Sequence, residues 1–343
     1  MRKIALSPWQ ISETDFPAQG TPTEQLQFLL QYAVLAPSSH NTQPWLFKLQ
    51  NEQVQLYADR SRALPIVDPQ DRALIISCGA ALFNLCLAIR QFGYTDIVKL
   101  FPDASQADLL AQVQLGEPYH ATATEQALFR AIPHRHTHRP QFLNQALSPD
   151  FLITLQSAAI AEHTWLEFIS QANREAVADL IAEGDRRQMK NPQFRRELSD
   201  WIHPNRSPHR DGMPGYAHGF SDWLSYAGPF VIQHFDLSHP QAKKDRQLAQ
   251  QAPALAVLGT AADRPEDWIA AGQALSHVLL LARSQGVMAA FMNQPIEVAE
   301  LRPQLSQQLK QSGYPQLLMR LGFGADIKPT PRRSIEEVLL SST

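Results

Sequence analysis

The chain has 343 residues, with 30 Lys and Arg against 33 Asp and Glu, for a net charge of −3. That near balance excludes a basic nucleic-acid surface or a polybasic membrane patch, and no run approaches the ~18 consecutive apolar residues of a membrane-spanning helix. Apolar residues make up 44% of the chain, enough for the core of one large domain or two smaller ones.

Residues 1–20 are polar with several prolines and read as an irregular arm; the two basic residues at the start are followed by no apolar stretch of leader length. The spacing of Leu26, Phe28, Leu29, Tyr32, Ala33 and Leu35 predicts a helix over 23–35, capped by Thr21 or Thr23 and stopped by Pro37. Residues 36–45 then form a loop dense in amides and hydroxyls: Ser38, Ser39, His40, Asn41, Thr42 and Gln43. Such a loop suits the edge of a polar heterocycle or a phosphorylated tail, and equally an ordinary Ser/Asn turn. Alternating strands follow over 45–49 and 53–57, joined as a hairpin. A long apolar helix runs over 72–92 to Gly93 as its cap, and 110–115 reads as a strand. Cys78 and Cys86 lie eight apart in that helix, ~12 Å along its axis. They are too far apart for a disulfide; they read as buried apolar positions, and the chain as cytoplasmic.

From about Ala123 the order of elements repeats. Residues 155–161 match 30–36 at Leu, Gln, Ala and Ala, and the next strand opens on Trp165-Leu166 as the first opens on Trp45-Leu46. The segment 272–286 matches 79–93 at Gly79/Gly272, Ala81/Ala274, Leu82/Leu275, Leu87/Leu280, Arg90/Arg283 and Gly93/Gly286. The copies differ in two places. Only Glu162, His163 and Thr164 stand where the first copy has its polar loop, and the stretch between Trp165 and Gly272 is far longer than its counterpart. Part of that insertion, about 189–230, is rich in aromatic residues, Pro, Gly and His, and reads as a lid. The division is therefore 1–120 for the first half and 121–343 for the second.

Two basic clusters stand out. Three arginines and three histidines crowd 130–139, and Pro329-Thr330-Pro331-Arg332-Arg333-Ser334 precedes Glu336-Glu337-Val338. His134, His136 and His138 alternate, so a metal site is one reading of the first cluster. An anion site built from guanidinium forks and Thr137 is a second, and a solvated loop a third. No Gly-x-Gly-x-x-Gly follows a strand, so nothing points to a dinucleotide-binding fold.

The loop Pro37-Ser38-Ser39-His40-Asn41-Thr42-Gln43-Pro44-Trp45 resembles the Pro-Ser-Ser-x-Asn-x-Gln-Pro-Trp loop of the nitroreductase family. Arg135-His136-Thr137-His138-Arg139 is similar to that family's Arg-Arg-Ser-x-Arg, with Thr for Ser and His for the second Arg. The tail at Arg332-Arg333 resembles its C-terminal basic segment, and the whole is similar to the Acg-like branch, a fused two-copy form with a covering insertion. The resemblance implies FMN as cofactor, held by Arg135, His136, Thr137 and Arg139 from one half and by Pro37, Ser38, Ser39, Asn41 and Gln43 from the other, with Arg332 or Arg333 on the phosphate. It implies a nitroreductase-like α+β, α/β/α sandwich, duplicated as a pseudo-dimer, with antiparallel sheet and helices on both faces in each half. It also implies an NAD(P)H-dependent, ping-pong reduction of nitro- or quinone-type acceptors, with no catalytic side chain required and no metal. The alternative is a closed-lid flavin-binding protein for storage or sequestration without turnover. His40 and the loop 288–295 are further candidate contacts; Asn84 is a candidate or simply a solvated helix asparagine, and Trp201, Trp223 and Tyr226 either stack over the flavin or, more often for such residues, are ordinary core or surface packing. Monomer and homodimer both fit a chain that carries its own partner surface.

Overall fold

Thr21 starts the first helix of the computed structural model, which describes residues 7–341. Its hydroxyl accepts from the Glu24 N–H and the Glu24 carboxylate accepts from the Thr21 N–H, a reciprocal cap that fixes α1 at Pro22–Ala33. The first half continues with β1 (Trp45–Gln50), β2 (Gln53–Ala58), α2 (Arg72–Gln91), β3 (Tyr94–Leu100), β4 (Leu109–Pro118) and α3 (Ala123–Ala131). The second half holds α4 (Pro149–Ala161) and β5 (Trp165–Phe168), then α5 (Arg174–Lys190), α6 (Pro192–Asp200), β6 (Ile202–His203), β7 (Met213–Pro214), α7 (Asp222–His234) and α8 (Ser238–Gln251). It closes with β8 (Ala254–Thr260), α9 (Pro265–Ser284), β9 (Val287–Phe291), α10 (Gln294–Glu297), α11 (Arg302–Ser306), β10 (Tyr314–Phe323) and α12 (Ile335–Val338).

Each half builds one antiparallel four-stranded sheet. The spatial orders are β1-β2-β4-β3 and β5-β8-β10-β9, so in both the first strand lies at an edge and the fourth lies between the second and third. α2 and α9 occupy the same place in the two halves, pack on each other and share one apolar core with both sheets. Their backbones meet at Gly79 and Gly272. A Cβ on Gly272 would lie 2.0 Å from the Ile76 carbonyl oxygen, and one on Gly79 would lie 2.3 Å from that of Ile269. The matching C-terminal glycines, Gly93 and Gly286, both take positive φ, at 98° and 75°.

Three expectations are corrected here. By length and composition α2 is long and apolar enough to cross a membrane, contrary to the sequence reading; yet 94% of its most apolar window is buried inside the protein, and an all-round apolar helix is what such a core position demands. Helices cover both faces only of the second sheet: α9 lies on one side, while Val177 and Ile181 of α5 join Leu255, Val257 and Leu318 on the other. The outer face of the first sheet carries the half-exposed Lys48, Gln55, Gln112 and Gln114, so it faces water as antiparallel sheets can. The expected lid is also more regular than a loop-rich segment: 189–230 holds α6 and the start of α7, inside a helical cap, 169–253, that carries α5 to α8.

Two segments tie the halves together. Thr137 bridges to Ala289 of β9, which lays residues 135–139 along the second sheet. Past β10 the chain crosses to the first half, where Leu339 bridges to Phe47 of β1 and the Leu340 N–H donates to the Phe47 carbonyl at 2.8 Å.

Candidate active site

Between α1 and β1 the polar loop is wound into a conformation that side-chain-bearing residues rarely adopt. His40, Asn41 and Gln43 have φ of 50°, 57° and 52°. Such left-handed residues are costly unless the surroundings over-determine them, and here they do. The Ser38 hydroxyl accepts from the Gln43 N–H at 2.9 Å. The Asn41 amide donates to the carbonyls of Gly212 in the insertion, at 2.8 Å, and of Pro331 in the C-terminal segment, at 3.0 Å. The Gln43 amide donates to the Arg210 carbonyl at 2.8 Å, and its oxygen accepts from the Arg333 N–H at 2.8 Å.

A cavity of about 780 Å³ opens beside this loop, lined by Pro37, Ser38, His40 and Asn41 from the first half and by Arg135, His136, Thr137, Arg139 and Arg332 from the second. The volume is that of a small-molecule or cofactor site. The cap helices and the 290–294 segment close the rest of the wall.

Beside the loop the charged residues of the wall are Arg135, Arg139 and Arg332. Arg135 and Arg332 are 5% and 3% exposed, and among the described residues no carboxylate lies within ion-pair distance of Arg135, Arg139 or Arg332. Arg332 donates to Asn41 Oδ1 at 2.7 Å, Thr330 Oγ1 at 2.8 Å and the Ala36 carbonyl at 3.2 Å, while its Nε has no partner. Arg135 reaches the Leu35 carbonyl at 3.3 Å, and Arg139 reaches only the Met213 sulfur. Burial pulls both Arg135 and Arg139 down to about 10. It pulls Arg332 well below the usual guanidinium range, with repulsion from Arg135 adding to it. The histidines beside them are held neutral. Burial and then Arg135 and Arg332 push His136 down to about 3; burial and then Arg139 push His40 down to about 4 and His218 down to about 3. His40 Nδ1 and His218 Nε2 are buried without a partner. Buried cations with no counter-ion are expensive, and an anion that accepts their hydrogen bonds relieves the cost.

The structure therefore brings together Pro37, Ser38, Asn41, Arg135, His136, Thr137, Arg139 and Arg332, and leaves three expected residues outside. Gln43 is fully buried beneath the loop, and Ser39 does not line the cavity. Arg333 turns the other way, 3.6 Å from Asp59 and bonded to the Gln43 carbonyl at 3.1 Å. Arg332 and Arg333 thus turn to different partners, Asn41 and Asp59.

Of the other expected contacts, His40 and residues 290–294 line the cavity, but Asn84 does not. Asn84 donates to the Tyr32 carbonyl and accepts from Ser276, linking α1, α2 and α9. Trp223 and Tyr226 are 80% and 63% exposed on α7, and Trp201 packs beside Leu64, Phe194 and the Arg62 guanidinium. None of the three reaches the cavity. The alternating histidines do not converge either: His136 meets Trp9 edge-on and His138 stacks on Phe142. Sequence reasoning missed the wall supplied by the insertion, notably Asp185, Tyr216, His218, Lys244 and Asp245. No local motif marks these residues; folding alone assembles them.

No family model matches the chain. A protein of Mycobacterium tuberculosis strain H37Rv named as a candidate NAD(P)H nitroreductase is 30% identical over 335 residues, covering 95% of this chain and 93% of that protein. A second from the same strain, named acg, is 25% identical over 332 residues, covering 94% and 97%. Among solved structures, the FMN-dependent nitroreductase NfnB of Mycobacterium smegmatis, in complex with NADPH, covers 64% of this chain and 99% of its own at 15% identity and a TM-score of 0.41. With nearly a third of its residues shared along almost the whole length of the first of these relatives, the chain belongs to the NAD(P)H nitroreductase family.

Proposed function

We propose that this chain is an FMN-dependent oxidoreductase that takes a hydride from NAD(P)H and passes it, in a second half-reaction, to a nitro- or quinone-type acceptor. The observation that supports it most is the group of buried, carboxylate-free guanidiniums at Arg135, Arg139 and Arg332, facing the strained Pro37–Asn41 turn across one cavity. That donor set fits the cofactor. A phosphate monoester is a dianion that accepts several charged hydrogen bonds, and the orphaned Arg332 Nε and His40 Nδ1 are unspent polar atoms at the cavity wall. FMN, when bound, supplies the hydride-accepting and hydride-donating chemistry.

The chain's own residues then have separate tasks. Arg332, Arg135 and Arg139 bind the phosphate end, with Thr137 adding a hydroxyl. Ser38, His40 and Asn41 orient the remainder from the opposite side. The cap helices α5 to α8 exclude bulk water. The family relationship and the repeated sheet order support a duplication in which one copy kept the Ser-Asn loop and the other kept the arginines. The helical cap over the cavity also favours a second reading, flavin sequestration without turnover.

Purified protein is expected to be yellow, and its flavin absorbance to bleach on anaerobic addition of NADPH and return with a quinone. Colour that persists under excess NADPH would leave the sequestration reading; protein that stays colourless after soaking with FMN would end both.

A further inference from the structure

Another part of the same cavity wall carries an arrangement that the proposed phosphate site does not use. Asp185 on α5 and Asp245 on α8 both line it and are 3% and 9% exposed. A single amide holds them: Gln294 Nε2 lies 3.1 Å from Asp185 Oδ1 and 3.1 Å from Asp245 Oδ2. Gly184 makes the approach possible, since a Cβ there would lie 2.6 Å from that of Gln294. Asp245 also accepts from Gln241 at 2.9 Å. Asp185 Oδ2 is buried with no partner, and neither carboxylate has a cation within ion-pair distance among the described residues.

Two carboxylates that share one amide donor, out of water, cannot both stay ionised cheaply; like charges at one site drive a proton onto the pair. Asp185 meets Asp245, Glu297 of α10 and, more weakly, Arg186, and Asp245 meets Lys244 and Arg320. Burial is the largest influence on both, and it raises both, with Asp245 next for Asp185.

We propose that Asp185 and Asp245 form a one-proton carboxyl pair whose acid, on Asp185, donates to the oxygen of a neutral carbonyl- or nitro-bearing acceptor and delivers the proton that accompanies the hydride. The inference rests on the oxidoreductase reading above. For a quinone the balance is one hydride, originating from NAD(P)H, plus one proton, giving the hydroquinone. The Asp185 O–H bond breaks, its electron pair stays on the carboxylate shared with Asp245, the proton forms an O–H bond on the acceptor oxygen, and water reprotonates the pair. The same cavity is lined by Phe194, Leu198, Ile202 and Leu248, apolar residues that suit a flat apolar acceptor with such an oxygen at one end.

The test separates the half-reactions of the FMN-loaded protein by stopped flow, comparing wild type with Asp185→Asn and Asp245→Asn. Asparagine keeps the shape and can donate a hydrogen bond, but it cannot pass a proton. Asp185→Asn is expected to bleach with NADPH at the wild-type rate, to reoxidise with benzoquinone about a hundredfold more slowly, as loss of a general acid predicts, and to lose the pH dependence of that step. Difference infrared spectra, with or without FMN, are expected to show a protonated carboxylic acid at pH 7 in wild type and none in Asp185→Asn. Equal reoxidation rates, or no such band in wild type, would overturn the pair. Failure to bleach in wild type would instead overturn the parent reading, and with it the transfer step, while the infrared band still reports whether the pair shares a proton.

Discussion

The same junction is built twice in this molecule, and only the first version lines the cavity. In both halves a helix ends, the chain turns, and a strand begins at a tryptophan, Trp45 or Trp165. In the second half the turn is Glu162-His163-Thr164, with His163 at φ 58° and the Thr164 hydroxyl closing on the Ala159 carbonyl at 2.8 Å. The first half lengthens that turn, places three residues in the left-handed region, and ties the result to the insertion and to the C-terminal segment. One scaffold thus carries a minimal connection and a binding loop, and what separates them is a few polar residues with partners from elsewhere in the chain.

The comparison is broken most severely by removing the cation the loop was built around. Arg332→Met is expected to weaken FMN binding by about a hundredfold, roughly two charge-assisted hydrogen bonds, in an absorbance titration. Arg333→Met next door, which faces Asp59, is expected to leave FMN affinity within a few-fold; equal losses would place the phosphate elsewhere. The shared framework gives the next effect. Gly79→Ala and Gly272→Ala each press a methyl into the opposing helix backbone, and each is expected to cost about 3 kcal/mol in urea unfolding, alike because the contact is reciprocal. Wild-type stability in either variant would mean that the two helices do not meet there. Smallest is the left-handed histidine that both turns possess. His40→Gly and His163→Gly each relieve a positive φ, so each is expected to move apo stability by no more than about 1 kcal/mol. Only His40→Gly should also weaken FMN, by about threefold to tenfold. A matching loss in His163→Gly would show that the second turn is no bystander.

Much of this architecture was legible in the residues because the signals were local. Thr21 with Glu24, Pro37 and Gly93 punctuate their helices through hydrogen bonds or φ restrictions that need no tertiary context. The paired glycines marked the repeat that α2 and α9 turned out to carry. The arginine and Ser-Asn halves of the cavity were legible for the same reason, as contiguous motifs. The insertion was not. α5 and α8 are rich in charged and polar residues and carry little apolar periodicity, and the aromatic and Pro-Gly run that drew the reading lies between them. Aromatic content there suggested rings over the cofactor, yet Trp223 and Tyr226 face outward, because composition does not encode which side of a helix meets the core. Asp185 and Asp245 lie sixty residues apart on helices that pack side by side, and a pairing of that kind has no sequence signature.

The crossing of the C-terminal segment onto the first sheet carries a consequence for how the molecule comes together. Arg332 and Asn41 are 291 positions apart, so the last wall of the cavity is set only after a very long closure, which is slow compared with forming either half. If the function proposed above holds, a partly assembled chain would own every helix and strand of its scaffold and still have nowhere to seat a phosphate, and loading with FMN would belong to the end of folding rather than its beginning.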